Sequence, residues 1–241
     1  MTGIPLILIP GLMCDGAVWE PLLPALTPCA ACQVIDHGSA SSITLMAQQV
    51  LDAAPARFAL AGHSMGGRVA LEVLRLAPER VMLLALLDTG YKARASGQAG
   101  DEEARKRHEL LEVARSQGIR TMASRWVQGM VHPARLGDTT LVEAIVSMFE
   151  RKTADIFENQ IKALLARPDA TAVLASAQMP TLVLCGREDS WASISQHEEI
   201  AAQVPGKVFL RVVESAGHMS TMEQPIAVAH AMLEWLHQTD L

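Results

Sequence analysis

Residues 57–71 read RFALAGHSMGGRVAL. An apolar, strand-like run (57–62) leads in, and a helical run that begins RVAL leads out. Between them Gly62, Gly66 and Gly67 crowd around Ser64. Glycine in a regular element costs roughly 0.5–1 kcal/mol relative to alanine, so three at one junction need a reason. G-H-S-M-G fits G-x-S-x-G, a pattern that in a strand–turn–helix context puts a serine on a sharp turn with its hydroxyl clear of the sheet. Side chains two before and two after the serine would collide with that turn, and Gly62 and Gly66 remove them. Gly67 is read as close helix–sheet packing. The helix starting at Met65 points its first N–H groups toward the serine, which favours developing negative charge there. Met65 N–H is therefore one expected oxyanion donor.

Working outward, continuous apolar runs predict strands at 5–9, 31–36, 57–62 and 81–87, with helices near 17–26, 43–54 and 65–77 between them. Ser42 or Ser41 is placed to cap the second helix. Residues 91–178 carry helical signals only, near 101–116, 118–130, 139–150 and 153–166. The first of these is a charged run, DEEARKRHE, read as a solvated face. Alternation then resumes with strand 180–185, helix 193–203, strand 207–213 and helix 224–237. This predicts an α/β core from residues 1–90 and 179–241, a mainly parallel sheet flanked by helices, interrupted by an inserted all-helical lid at 91–178. Ligands of such sheets bind outside the C-terminal strand ends, the edge the insertion would cover.

Composition narrows the function. Of the 241 residues 50% are hydrophobic and 19% charged, with a net charge of -6, which is a globular composition with no basic stripe for nucleic acid. No apolar run reaches the ~18 residues that span a membrane. The opening MTGIPLILIPGL lacks a positive n-region, so it is read as a strand rather than a signal peptide, and a cytoplasmic location is expected. Cys29-Ala-Ala-Cys32 is a C-x-x-C, but no second pair completes a zinc site, and it precedes a strand rather than opening a helix. No metal or organic cofactor is expected.

A serine nucleophile needs a histidine base, and the base needs an orienting acid. Of the eight histidines, His218 follows a predicted strand, with Gly217 allowing a turn. Asp189 follows the strand at 180–185 in the same way. Asp88, at the end of the strand 81–87, is the alternative acid. Asp88-Thr-Gly90 also matches the aspartic-protease D-T-G, but a single copy lacks the second carboxylate that chemistry needs.

The order Ser64, Asp189, His218, with the segments PGLMCDGAVW, GHSMGGRVAL, LVLCGREDSW and SAGHMSTMEQP, resembles the α/β-hydrolase fold superfamily over essentially the whole chain. The resemblance implies a sheet of about six strands, a helical cap after the strand 81–87, and a second oxyanion donor on the loop after the first strand. Relatives often have His-Gly before that donor. Here Pro10-Gly11 precede Leu12, making Leu12 N–H the first candidate and Met13 the second. The implied chemistry is acyl transfer to Ser64, leading to hydrolysis of a small-molecule carboxylic ester or lactone. Met13, Trp126, Trp191 and Met219 are candidate substrate contacts.

Arg68, one helical turn beyond Ser64, is a candidate grip for a substrate carboxylate. SMGGR resembles the corresponding region of the menaquinone-pathway synthase of this fold, and the EQP ending of the histidine segment resembles enol-lactonases. Two alternatives therefore stand beside ester hydrolysis. One is elimination or C–C cleavage of an anionic substrate, and the other is a ligand-binding protein that retains the triad.

Overall fold

The structure, a computed structural model, describes residues 3–239. Its strands are β1 (Ile4–Ile9), β2 (Ala30–Val34), β3 (Phe58–His63), β4 (Val81–Leu87), β5 (Thr181–Gly186) and β6 (Val208–Val213). They form one six-stranded parallel sheet in the order β2-β1-β3-β4-β5-β6. The interior strands β3 and β5 are buried at every residue, which is why they read as apolar runs. The edge strands β2 and β6 are partly exposed, so their apolar signal is weaker.

The helices are α1 (Leu23–Leu26), α2 (Ile43–Ala53), α3 (Met65–Leu76), α4 (Gln98–Gln117), α5 (Ile119–Trp126), α6 (Thr139–Glu150), α7 (Ala154–Leu165), α8 (Thr171–Leu174), α9 (Ile194–Gln203), α10 (Ser220–Glu223) and α11 (Pro225–Leu236). Helix α3 packs on β1, β3 and β4, α9 on β5 and β6, and α11 on β4, β5 and β6. Ser42 caps α2, its hydroxyl accepting from Leu45 N. Helices α4 to α8 all lie between β4 and β5, with no strand among them. The helix expected at 17–26 is instead two 3-10 turns and the single turn α1, because Pro21 and Pro24 each start a new turn and cannot continue an old one.

Because every strand is parallel, Ile9, His63, Leu87, Gly186 and Val213 all end at one edge. The strand order reverses between β1 and β3, the switch point where such sheets open a crevice. There the turn from β3 to α3 presses against the end of β1. A Cβ on Gly66 would lie 2.2 Å from Ile9 O, and one on Gly62 would lie 2.2 Å from Gly66 O. Both clashes are with backbone that has no rotamer to yield. Gly66→Ala is expected to cost about 3 kcal/mol or more, lowering Tm by roughly 6–12 °C in a chain of this size, as measured by thermal unfolding.

Candidate active site

Ser64 sits at φ 56°, ψ −118°, a region that side chains avoid and that typically costs about 1–3 kcal/mol. Its neighbours hold it there. Ser64 N donates to Leu87 O (2.9 Å), while Ser64 O accepts from Gly67 N (3.0 Å) and Thr89 Oγ1 (2.6 Å). Thr89 also explains Gly67, where a Cβ would meet the threonine side chain at 2.6 Å. A serine before a helix usually caps it with its hydroxyl. Ser64 does not; its Oγ lies 2.8 Å from His218 Nε2.

His218 stands on the loop after β6. Its Nδ1 is 2.7 Å from Asp189 Oδ2, and the other oxygen of Asp189 accepts from Trp191 N (2.8 Å) and Ala192 N (3.0 Å). This network assigns the proton to Nδ1 and leaves Nε2 to accept from the serine hydroxyl. Burial pulls the His218 pKa down, but the Asp189 charge and hydrogen bond outweigh it and the net shift is upward. Asp189 is the mirror case: burial alone would raise it, and the His218 contacts with the two backbone donors bring it below its ordinary value. The expected serine, acid and base thus meet as one hydrogen-bonded chain.

Asp88 is not the group that orients His218. Its Oδ1 accepts from Gly186 N (2.9 Å) and its Oδ2 from Ser220 Oγ (2.5 Å), so it ties the loops carrying Asp189 and His218 to β4. Burial, then the nearby Asp189 charge, pushes its carboxyl well above the usual range. Three further residues hold His218 or its loop. His63 Nε2 donates to His218 O (2.8 Å), and burial drops the His63 pKa to about 3, keeping the ring neutral. His218 N donates to Met130 O (2.6 Å). The buried Glu223 accepts from Gly217 N (2.8 Å) with one oxygen and from His132 N (2.7 Å) with the other.

The loop after β1 is propped from outside itself. His37 Nε2 donates to Pro10 O (2.7 Å), and Met13 N donates to Gln160 Oε1 (2.8 Å). These contacts tie the loop to the segment after β2 and to α7. They also correct the reading of Met13: its N–H is spent on Gln160, and its side chain is buried in the core rather than along the cavity. Among the described residues neither Leu12 N–H nor Met65 N–H donates a hydrogen bond.

Ser64 and His218 open into a cavity of about 850 Å³ whose wall includes Leu12, Arg68, Trp126, Trp191 and Met219. Trp126 stacks on Trp191 (5.8 Å between centroids) and packs against Phe149 and Phe157, so it joins α5 to its neighbours as well as lining the cavity. The charged run on α4 is not wholly a solvated face, since Glu103, Arg107 and Leu110 turn one stripe into the cavity. The cysteines are free thiols; Cys14 and Cys185 are pushed up to about 12 by burial. Among the described residues no group of three or more His, Cys, Asp and Glu is arranged to hold a metal ion, and no helix is long and apolar enough to cross a membrane.

A family model described as the alpha/beta hydrolase family matches residues 6–231. A pimeloyl-(acyl-carrier protein) methyl ester esterase of Photobacterium profundum is 32% identical over 204 residues, covering 78% of this chain and 77% of that one. A thermophilic esterase from Thermogutta terrifontis superposes with a TM-score of 0.86 at 25% identity, over 98% of this chain and 90% of its own. The enol-lactonase from Burkholderia xenovorans shares the fold, with a TM-score of 0.82 at 21% identity over 98% and 92% of the two chains.

Gln160→Ala leaves the buried Met13 N–H without an acceptor, so denaturant unfolding should show a loss of about 1–3 kcal/mol. The raised Asp88 carboxyl binds its proton more tightly folded than unfolded. That contribution to stability is complete below its unfolded pKa and is lost as the pH rises through the folded one. Asp88→Asn carries no such loss, so its Tm relative to wild type should rise between pH 4 and pH 8 in thermal melts.

Proposed function

The chain belongs to the alpha/beta hydrolase family and is a carboxylic ester hydrolase; from that premise we propose that it cleaves a small-molecule ester or lactone through Ser64, His218 and Asp189. The observation that carries this reading is the unbroken chain Ser64 Oγ–His218 Nε2 (2.8 Å) and His218 Nδ1–Asp189 Oδ2 (2.7 Å), opening into a cavity beside two backbone donors with no acceptor of their own.

In this mechanism Ser64 Oγ attacks the carbonyl carbon as its proton passes to His218 Nε2. The carbonyl oxygen becomes an oxyanion held by Leu12 N–H and Met65 N–H, the latter at the positive end of α3. His218 returns its proton to the departing alkoxide, leaving an acyl-Ser64 ester. A water then gives a proton to His218 and attacks that ester, and the acid product leaves as Ser64 regains its proton. Asp189 stays ionised throughout, fixing the imidazole tautomer and stabilising the imidazolium. Trp126, Trp191 and Met219 offer apolar contacts to the acyl or alcohol part. The helices between β4 and β5 act as the lid, and its segment 130–132 is anchored to the histidine loop through Met130 O and His132 N.

A panel of short aryl esters and lactones, with fluorophosphonate labelling, tests the proposal. Ser64→Ala should abolish labelling and lower kcat by about 10⁴-fold or more. Asp189→Asn should lower kcat by up to about 10⁴-fold. The acid limb of kcat/KM should lie above the ordinary histidine value of 6.5, because activity is lost as the raised His218 protonates. In Asp189→Asn, burial acts on His218 without the opposing charge, so the limb should move to lower pH. Wild-type protein that neither labels nor hydrolyses any member of the panel would overturn the reading.

A further inference from the structure

The cavity that holds Ser64 has a charged wall made from three separate segments. Arg68 comes from α3, Arg107 and Glu103 from α4, and Arg167 from the turn after α7. Arg107 Nε (3.1 Å) and Nη2 (3.0 Å) both donate to Glu103 Oε1. Arg167 Nη1 donates to Glu103 Oε1 (2.8 Å) and its Nη2 to Oε2 (2.9 Å). One carboxylate is thus shared by two guanidinium groups, and Arg68 has none. The Arg68 Nη1 donates to Lys92 O (2.8 Å), while its Nε and Nη2 meet no acceptor among the described residues. The two lysines in this wall are already paired, Lys92 with Glu199 (2.6 Å) and Lys106 with Glu102 (3.4 Å).

Three guanidinium groups have one carboxylate among them in this wall, and Asp169 reaches Arg68 only through space, so the cluster keeps a net positive charge. Arg68 is half-buried, and Arg167 is only 9% exposed along its side chain. Withdrawing unpaired cations from water is costly, and such a group is retained where something anionic completes it. Burial, with the like charge of Arg167, pushes Arg68 down to about 9, which leaves it charged at neutral pH. Gly90 makes room for it: a Cβ there would stand 2.7 Å from Arg68 Nη2.

We propose that Arg68, backed by Arg107 and Arg167, is a subsite for a carboxylate carried by the substrate, so that the enzyme prefers half-esters of short dicarboxylic acids. The proposal rests on the ester-hydrolase reading above. The unengaged Nε/Nη2 edge of Arg68 is the edge that holds a carboxylate by two parallel hydrogen bonds. Ser64 immediately precedes α3 and Arg68 is the fourth residue of that helix, a separation of about 6 Å at the helical rise. A short methylene chain therefore suffices to place the ester carbonyl at Ser64 and the carboxylate at Arg68. Glu103 keeps the other two guanidinium groups in place, and Trp126 and Met130 offer apolar surface to the chain between the two ends.

The experiment compares the monoethyl esters of succinic, glutaric and adipic acids with the matching ethyl ester amides, which are neutral and nearly isosteric. In wild-type enzyme kcat/KM for at least one half-ester should exceed that of its ester amide by about tenfold or more, mainly through KM. In Arg68→Met that ratio should fall to about twofold or less; a ratio within one preparation is insensitive to how much of the variant is folded. Adipate, but not adipamide, should compete with a neutral aryl ester in the wild type, a measurement that needs no variant. Ester amides hydrolysed as well as every half-ester, no competition by adipate, or a preference that persists in Arg68→Met would each overturn the subsite. If no neutral ester is hydrolysed in a Ser64-dependent way either, the ester-hydrolase reading itself fails.

Discussion

His218 is where four parts of the chain are joined. Its ring links the serine turn after β3 to the acid loop after β5. Its backbone N–H binds Met130 of the helical segment, and its carbonyl accepts from His63 at the end of β3. Each contact is short, and two of them hold the His218 backbone, so the imidazole has little freedom to leave the line between Ser64 and Asp189. The polar groups around it are buried, and satisfied hydrogen bonds in such surroundings both stabilise and specify one arrangement. Removing any one of them leaves a neighbour unpaired in a dry place, which is where the cost arises.

Strain gathers at the same edge. The non-glycine residues with positive φ among those described are Met13, Ser64, Asp88 and Ser215. They follow β1, β3, β4 and β6 respectively, so each lies on a loop at the C-terminal end of a different strand. Three of these departures from ordinary backbone are held by contacts from elsewhere. Gln160 holds Met13, Leu87 and Thr89 hold Ser64, and Asp88 is bound to Gly186 and Ser220. The rigid parallel sheet stabilises these loops in conformations they would not adopt alone, and its C-terminal edge is where a parallel sheet directs its ligands.

Legibility follows the range of the interaction. The Ser64 turn was readable because strand, glycines and helix are adjacent, and the clashes that require Gly62 and Gly66 involve backbone of the turn and of β1. Asp189 and His218 were readable because each follows its own strand. Gln160 carried no local signal: it sits on an ordinary amphipathic helix, 147 residues from the Met13 N–H it receives. Glu223 was visible only as part of a resemblance, and its partners Gly217 and His132 come from two different loops. The charged helix α4 was read as solvated, since a run of alternating charges looks the same whether one stripe faces water or a cavity. Pro21 and Pro24 were local signals that the helix expected at 17–26 overrode.

The sequence by itself determined a parallel α/β sheet of six strands, the helical stretch between the fourth and fifth, and the placing of Ser64, Asp189 and His218 each after its own strand, because these depend on periodicity, turn chemistry and position after a strand. The tertiary structure decided between Asp189 and Asp88 as the partner of His218, gave the Met13 N–H to Gln160, and brought Arg107 and Arg167 onto one glutamate in the cavity that Arg68 also lines. Those outcomes rest on which side chains meet across the folded chain, and hydrogen bonds and ion pairs of that range leave no periodicity in the residues that make them.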